Sequence, residues 1–454
     1  MKVTILIIYF LFIIGLGIYS FFKVKDPRDY FIAGKRTGPF QIAGSLLATI
    51  LGGSAILGTV NLTHTQGWAA SWYLLAGSFG FWLLIPLVGK VNRLGKFTLT
   101  NLLGQFYGES ARKTASVIIP LAWTGIVAAQ IIASAKILFS FFDLPYNYGV
   151  LISAAVFIVY TLIGGQISII KTDFFQAIVI LLGVILTSVF LWGEPQQAVP
   201  SFSSEFPFNS GFSGIDLLIL ALTFSSTYVV GPDIYSRIFC ARDEKTARKS
   251  VFISAVILIP FAFLLAYIGV FAYHNLPADE LAKSAALIEV VNFYLPGWMA
   301  GMMAAALLSA VLSSADTTLL TASMIVSELL SADINNERSL KNTRYFIVAI
   351  GIVSLLIALK VTSIIGTLLL ALAFYSGAFI VPLLAALTDR KVNKKYSILA
   401  MISGGLIALG GKIVVNFYGA EIGNWMIVAA FIVNGLILAI PDKDNATKNT
   451  NTID

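Results

Sequence analysis

GMMAAALLSAVLSSADTTLLTASMIVSE, residues 301–328, begins as an apolar helix long enough to cross a bilayer. It then places Ser313, Ser314, Asp316, Thr317 and Thr318 at a depth where hydrocarbon is expected. A carboxylate at that depth costs on the order of 3 kcal/mol or more, so it faces a cavity, a partner or an ion. Hydroxyls alone say less, because each can bond the carbonyl one turn back. Hydroxyl and carboxylate oxygens together are the ligands that a hard cation takes. The same small polar residues also suit close helix–helix packing, and the choice between the two rests on the remainder of the chain.

The 454-residue chain is 58% hydrophobic and 12% charged, with a mean hydropathy of +0.87. Those values exclude a soluble domain and imply an all-α, polytopic membrane protein. At about 20 residues per crossing, the apolar stretches account for about 13 transmembrane helices. They lie at 3–22, 40–62, 68–90, 114–140, 147–166, 169–192, 214–239, 250–273, 297–329, 343–360, 362–387, 396–415 and 421–440. Basic residues gather in alternate loops, among them Lys23, Lys25 and Arg28, then Lys90 and Arg93, then Arg242, Lys245 and Arg248, then Arg390 and Lys394. The intervening loops, such as NLTHTQG at 61–67 and DLPYNYG at 143–149, carry almost none. The positive-inside rule then sets the N-terminus outside and the C-terminus in the cytoplasm of a multi-pass cell (plasma or inner) membrane protein. The net charge of +7 reflects these loops, and no nucleic-acid partner is expected.

Residues 1–441 read as one transmembrane domain and 442–454 as a disordered cytoplasmic tail. The first apolar segment lacks a small-residue cleavage site and reads as a retained helix. The single Cys240 excludes an intrachain disulfide and any multi-cysteine metal site. His64 and His274 fall near outer loops. With no nucleophile–base pair and no metal cluster in sight, an enzyme is not expected.

A second element is FQIAGSLLATILGGSAILGTVN at 40–61, with Gly52, Gly53 and Ser54 near its middle. Paired glycines weaken a helix by about 1 kcal/mol each relative to alanine. Unwinding there would free carbonyls for a cation and present a half-helix N-terminus to an anionic group; a small-residue packing face is the other reading. Phe224, Tyr228 and Pro232 recur at i, i+4 and i+8 and share a face, and Asp233 and Arg237 at i, i+4 read as a local ion pair. Asp173 stands a turn or two above the cytoplasmic surface. In the eleventh span, Thr367, Tyr375, Ser376, Gly377 and Pro382 are polar or helix-loosening. Ser313 lies about 24 Å below the outer end of its span and Ala48 about eight residues above the inner end of its own, so both belong to the cytoplasmic half.

DYFIAGKRTG at 29–38, LGGSAILGT at 51–59, GGQISIIKTDFFQ at 164–176, GPDIYSRIFCARDEKTARKS at 231–250 and the stretch 301–328 together resemble the sodium/solute symporters, whose members include sodium/proline, sodium/glucose and sialic acid transporters. The resemblance covers nearly the whole chain. It implies an amino-acid/sodium symporter-like core of inverted five-helix repeats, about 40–192 and 214–387, working by alternating access. It implies a sodium site built from the carbonyls of Ala48, Leu51 and Ala310 and the hydroxyls of Ser313 and Ser314. The solute is expected at Gly52, Gly53, Ser54, Phe224, Thr227, Tyr228 and Thr367. Some relatives hold a second sodium with the aspartate at the Asp173 position and hydroxyls one turn past the shared pair. Here those positions are Asp316 and Thr317, so this chain departs from them by placing a carboxylate where a neutral oxygen would sit. Asp173, Asp316 and Thr317 then form either a second cation site, for sodium or a proton, or two separately paired acids.

Sugar-carrying relatives line the pocket with Asn, Gln, Glu and Lys, whereas the matching positions here are Ala55, Leu74 and Phe224. Sialic acid relatives use an arginine in the helix at 114–140, which has none within it. The spacing of Phe224, Tyr228 and Pro232 from Arg237 is similar to that of the proline transporters. The expected function is sodium-coupled import of a small organic solute, a proline-like amino acid or small carboxylate. Proton coupling, a sugar or other solute, and a membrane sensor are the alternatives. Sodium is the expected coupling ion and no cofactor is implied. The expected partners are the solute, sodium and the lipid bilayer, with no obligate protein partner.

Overall fold

Each half of the chain opens on a helix that its own sequence interrupts. The computed structural model describes residues 2–22, 26–95, 98–194, 205–277, 281, 285–330, 336–390, 392, 394–418 and 421–440. After α1 (Lys2–Phe21), the first half begins with α2 (Pro39–Ile50), which has Pro39 at its first turn, where a missing N–H costs nothing. It stops because Leu51 takes ψ 43° and Gly52 is extended at ψ 166°, and α3 (Gly53–Gln66) starts afresh. Then follow α4 (Trp72–Leu94), α5 (Glu109–Phe142) and α6 (Tyr146–Trp192).

The second half begins with α7, which runs Gly214–Leu220, passes through a π-helical turn at Ala221–Ser225 and continues over Ser226–Val230. Gly231 leaves the helix at ψ 128°, and Pro232 opens α8 (Pro232–Cys240). The remaining long helices are α9 (Glu244–Asn275), α10 (Gly297–Leu330), α11 (Glu337–Ala358), α12 (Ile364–Leu387), α13 (Ser397–Tyr418) and α14 (Glu421–Leu438), with shorter ones at Pro27–Ile32, Leu99–Tyr107 and Ala286–Tyr294.

By length and composition, ten helices among the described residues are able to cross a membrane, against the thirteen expected. The difference lies in three places. α1 and α2 contribute only the shorter apolar helices Thr4–Ser20 and Pro39–Ile50. α6, at 47 residues, would reach about 70 Å if straight, more than twice a hydrocarbon core of about 30 Å. It bends at Gly165 (φ 59°, ψ 177°), so the spans expected at 147–166 and 169–192 run together through one kink. Only glycine suits that turn: its φ is left-handed, and a Cβ there would lie 2.5 Å from the Tyr30 ring. The tail at 442–454 lies outside the described residues.

Burial places the polar cluster of 301–328 in the interior. In α10, 89% of the apolar window is buried, against 28% in α11. Small residues on every face of α10 (Ala304, Ala305, Ala306, Ser309, Ala310) let neighbours approach from all sides. Ser313, Ser314, Asp316, Thr317 and Thr318 are all buried against protein.

Candidate functional site

The break between α2 and α3 decides where the polar groups of α10 go. In a continuous helix the amides of Gly52 and Gly53 would bond the carbonyls of Ala48 and Thr49. Here the last such bond is from Leu51 N–H to the Leu47 carbonyl, at 2.8 Å. The two freed carbonyls find hydroxyls on α10 instead: Ser313 Oγ donates to Ala48 O at 2.9 Å and Ser314 Oγ to Thr49 O at 2.7 Å. Ser313 Oγ also lies 3.2 Å from the carbonyl of Ala310. Of the five expected sodium ligands, Ala48, Ala310 and Ser313 therefore meet around one oxygen, while Ser314 turns to Thr49 rather than to Leu51.

The helix at the second break is repaired in the same way by longer side chains. Tyr235 donates to the Val229 carbonyl at 2.9 Å, and Tyr375, from α12, donates to the Val230 carbonyl.

One turn below Ser313 lies a buried charged network. Asp173, from the bend-distal part of α6, and Arg237, from α8, form a fully buried ion pair at 3.0 Å. Ser45 of α2 donates to Asp173 Oδ2 at 2.5 Å and accepts from Arg237 Nε at 3.0 Å. Arg237 also donates to the Thr317 hydroxyl. Thr317 in turn lies 3.3 Å from Asp316 Oδ1. Asp173, Asp316 and Thr317 are thus brought together, with a guanidinium between them that the sequence reading placed elsewhere. The expected ion pair of Asp233 with Arg237 is corrected: the guanidinium reaches only the backbone oxygen of Asp233, at 3.5 Å, and spends its charge on Asp173. The i, i+4 spacing permitted the local pair, but a buried carboxylate on α6 demanded the cation more strongly. Asp173 Oδ1 and Asp316 Oδ2 have no hydrogen-bond partner among the described residues.

Above these layers, beside the helix break, is a cavity. Gly52, Ser54, Phe224, Thr227 and Tyr228 line it, as do Ser314 and Thr318 of α10. Two expected residues do not. Gly53 is a packing position, where a Cβ would lie 2.1 Å from Val311 Cγ1. Thr367 bonds the Ser363 carbonyl at 2.7 Å, and the next residue on α12, Leu368, lines the cavity with Leu372. A helix turns 100° per residue, so an error of one position moves a side chain off the face. Trp123, Ile126 and Gln130 of α5, and Asp233 of α8, were missed. Gln130 and Asp233 are polar groups inside apolar spans, and that signal was available for both. Gln130 donates to Ser54 Oγ at 3.0 Å, tying α5 to the start of α3. Tyr73, Phe224 and Tyr228 stack edge-on or tilted, with ring centres 4.4 and 5.1 Å apart.

The family model of the sodium:solute symporters matches residues 30–404. The chain is 24% identical over 428 residues to the osmoregulated proline transporter OpuE of Bacillus subtilis (strain 168), covering 88% of this chain and 87% of that protein. It is 25% identical over 430 residues to the sodium/pantothenate symporter of Escherichia coli (strain K12), covering 88% of each. Among solved structures, a Na+-coupled sialic acid symporter in a substrate-bound, outward-open state with a novel Na+ site superposes with a TM-score of 0.79 at 18% identity, covering 97% of this chain and 96% of that one. Mhp1, a nucleobase-cation-symport-1 transporter in a closed conformation, superposes at 0.59 with 16% identity, covering 90% and 93%. At those identities the two structures show the fold. The family match itself spans the broken first helix, the Asp173 segment and the whole of α10, and on that span the chain belongs to the sodium:solute symporter family of multi-pass membrane transporters.

Proposed function

We propose that this symporter imports a small organic solute, a proline-like amino acid or small carboxylate, by alternating access between the repeats 40–192 and 214–387 of a single domain, 1–441. The N-terminus is read as outside and the C-terminus as cytoplasmic from the loop charges. The observation that carries the reading is the shared corner of ion and solute. Ser314 both caps a carbonyl freed by the helix break and lines the cavity, so occupancy of one is felt by the other.

Sodium is assigned to Ala48 O, Leu51 O, Ala310 O, Ser313 Oγ and Ser314 Oγ, with Thr49 O, 2.7 Å from Ser314 Oγ, as a further carbonyl at the same helix end. Oxygens around a hard cation held at about 2.4 Å lie about 3.4 Å apart along an octahedral edge. The 2.9 and 3.2 Å separations at Ser313 need to open by only a few tenths of an ångström. Relatives carry proline or pantothenate by name, which supports a small, partly apolar solute. The test is uptake of labelled candidates into proteoliposomes. Accumulation that follows an inward sodium gradient, and vanishes without it, is expected; uptake indifferent to sodium refutes the assignment.

A second cation is assigned to the Asp316 layer. Two buried carboxylates face one guanidinium there, and the surplus charge requires sodium or a proton in a low-dielectric interior. Stoichiometry across external pH tests it. Either two sodium ions per solute, falling toward one in Asp316→Asn, or a pH dependence that this variant loses, is expected. One sodium per solute at every pH in both proteins refutes it.

A further inference from the structure

Among the described residues lining the cavity, Asp233 is the one that carries a formal charge. Its position is unusual for a carboxylate. It sits in the first turn of α8, directly after the break at Gly231, at the N-terminal end of a half-helix. The positive end of the half-helix favours the ionised form. Its Oδ1 is buried without a hydrogen-bond partner among the described residues. Arg237, four residues on, has turned away to Asp173, so the negative charge of Asp233 is left facing the cavity. The same cavity is lined by aromatic residues: Trp123 of α5 and Phe224 and Tyr228 of α7. Ring faces attract cations, most strongly when the cation is desolvated. A carboxylate with an unpartnered oxygen in a cavity also lined by three aromatic residues is a receptor for a positively charged nitrogen. An amine-free carboxylate would meet repulsion at Asp233 and gain little from the rings.

We infer that the solute carries a cationic nitrogen, an ammonium or quaternary amine, and that Asp233 is the residue that selects for it. This rests on the reading of the cavity as the solute site, and it narrows the solute to an amine-bearing class, zwitterions included. The alternative source of positive charge at Asp233 is the coupling ion itself, and the experiment separates the two.

Purified protein in lipid nanodiscs is titrated, at saturating sodium, with a panel that contains the standard amino acids and glycine betaine on one side, and pantothenate, acetate and lactate on the other. Binding is read by isothermal calorimetry, and sodium alone by its protection against thermal unfolding. The expected result is that every binder carries a cationic nitrogen. Asp233→Asn weakens that binder at least tenfold, Asp233→Glu recovers part of the loss, and half-saturating sodium moves less than twofold in both variants. Each variant's melting temperature shows whether it is folded, and the wild-type panel is decisive even where a variant is not. An amine-free acid that binds as tightly as any amine overturns the inference. So does an amine that binds Asp233→Asn as well as wild type, or a wild type that binds no amine in the panel. A large rise in half-saturating sodium with amine selectivity intact overturns it too, because Asp233 would then serve the ion. Loss of sodium protection in wild type refutes the sodium assignment instead, and leaves amine selectivity readable on its own.

Discussion

Gly53→Ala adds one methyl group at a close approach between α3 and α10, and the structure gives its size of effect. The new Cβ would lie 2.1 Å from Val311 Cγ1 and 3.3 Å from Ala133 Cβ. Val311 is β-branched on a helix and has one strongly preferred rotamer, so it does not swing clear. Overpacking of this kind costs about 1–3 kcal/mol. The strain is relieved when α10 moves away from α3, which also withdraws Ser313, two residues along, from the Ala48 carbonyl. It is therefore charged to the form that holds sodium. At 1.4 kcal/mol per tenfold, half-saturating sodium rises by about 5- to 140-fold. The assay is solute uptake into proteoliposomes over a sodium titration, with thermal unfolding of the same preparations. Removing the obstacle should reverse the effect: in Gly53→Ala with Val311→Ala the nearest Val311 atom left is Cβ, 3.5 Å from the new carbon, an ordinary contact. Unchanged sodium dependence in the single variant, or no recovery in the double variant, refutes the coupling of this contact to the ion site.

Ser313→Ala and Ser314→Ala each delete an oxygen from the proposed sodium shell, and a hydrogen-bonding partner of a charged group is worth about 1.5–3 kcal/mol. Half-saturating sodium should rise about tenfold or more in each, read from the same titration. Arg237→Leu leaves Asp173 buried and uncompensated, which should destabilise the fold by about 3–5 kcal/mol in thermal or denaturant unfolding, whereas Arg237→Leu with Asp173→Leu should recover most of it. Tyr375→Phe strips the donor from the Val230 carbonyl at the second helix break and should cost about 1–3 kcal/mol of stability by the same measurement. A fully stable Phe variant would mean that the carbonyl is satisfied some other way.

Much of the membrane architecture was legible from periodicity and charge, because hydrocarbon admits almost no other backbone than a helix and the hydropathy record is correspondingly plain. The helix break at 51–52 was legible for a local reason: two adjacent glycines leave little to hold a helix together. The pairing of Ser313 with Ala48 followed from two depths and a family pattern. What lay beyond reach was lateral. Arg237 had an acid at i+4 spacing on its own helix and another on α6, and sequence spacing ranks only the first. Thr367 and Leu368 differ by one position, and the helix phase that separates them is set by what α12 packs against. Gly53 suits a cavity wall by sequence, whereas the packed helices put Val311 opposite it.

The amino-acid order by itself determined an all-helical membrane chain and the polar residues of α10 at matching depth, and it marked the paired glycines as a place where the helix either breaks or packs closely. Only the tertiary structure decided which of those polar groups face one another, that Arg237 spends its charge on Asp173, and that Asp233 is consequently left facing the cavity. The physical reason is that helix formation depends on neighbours within a turn, whereas the pairing of buried charges is settled among groups far apart in sequence, 64 residues for Asp173 and Arg237 and 192 for Arg237 and Ser45, that meet only once the helices pack.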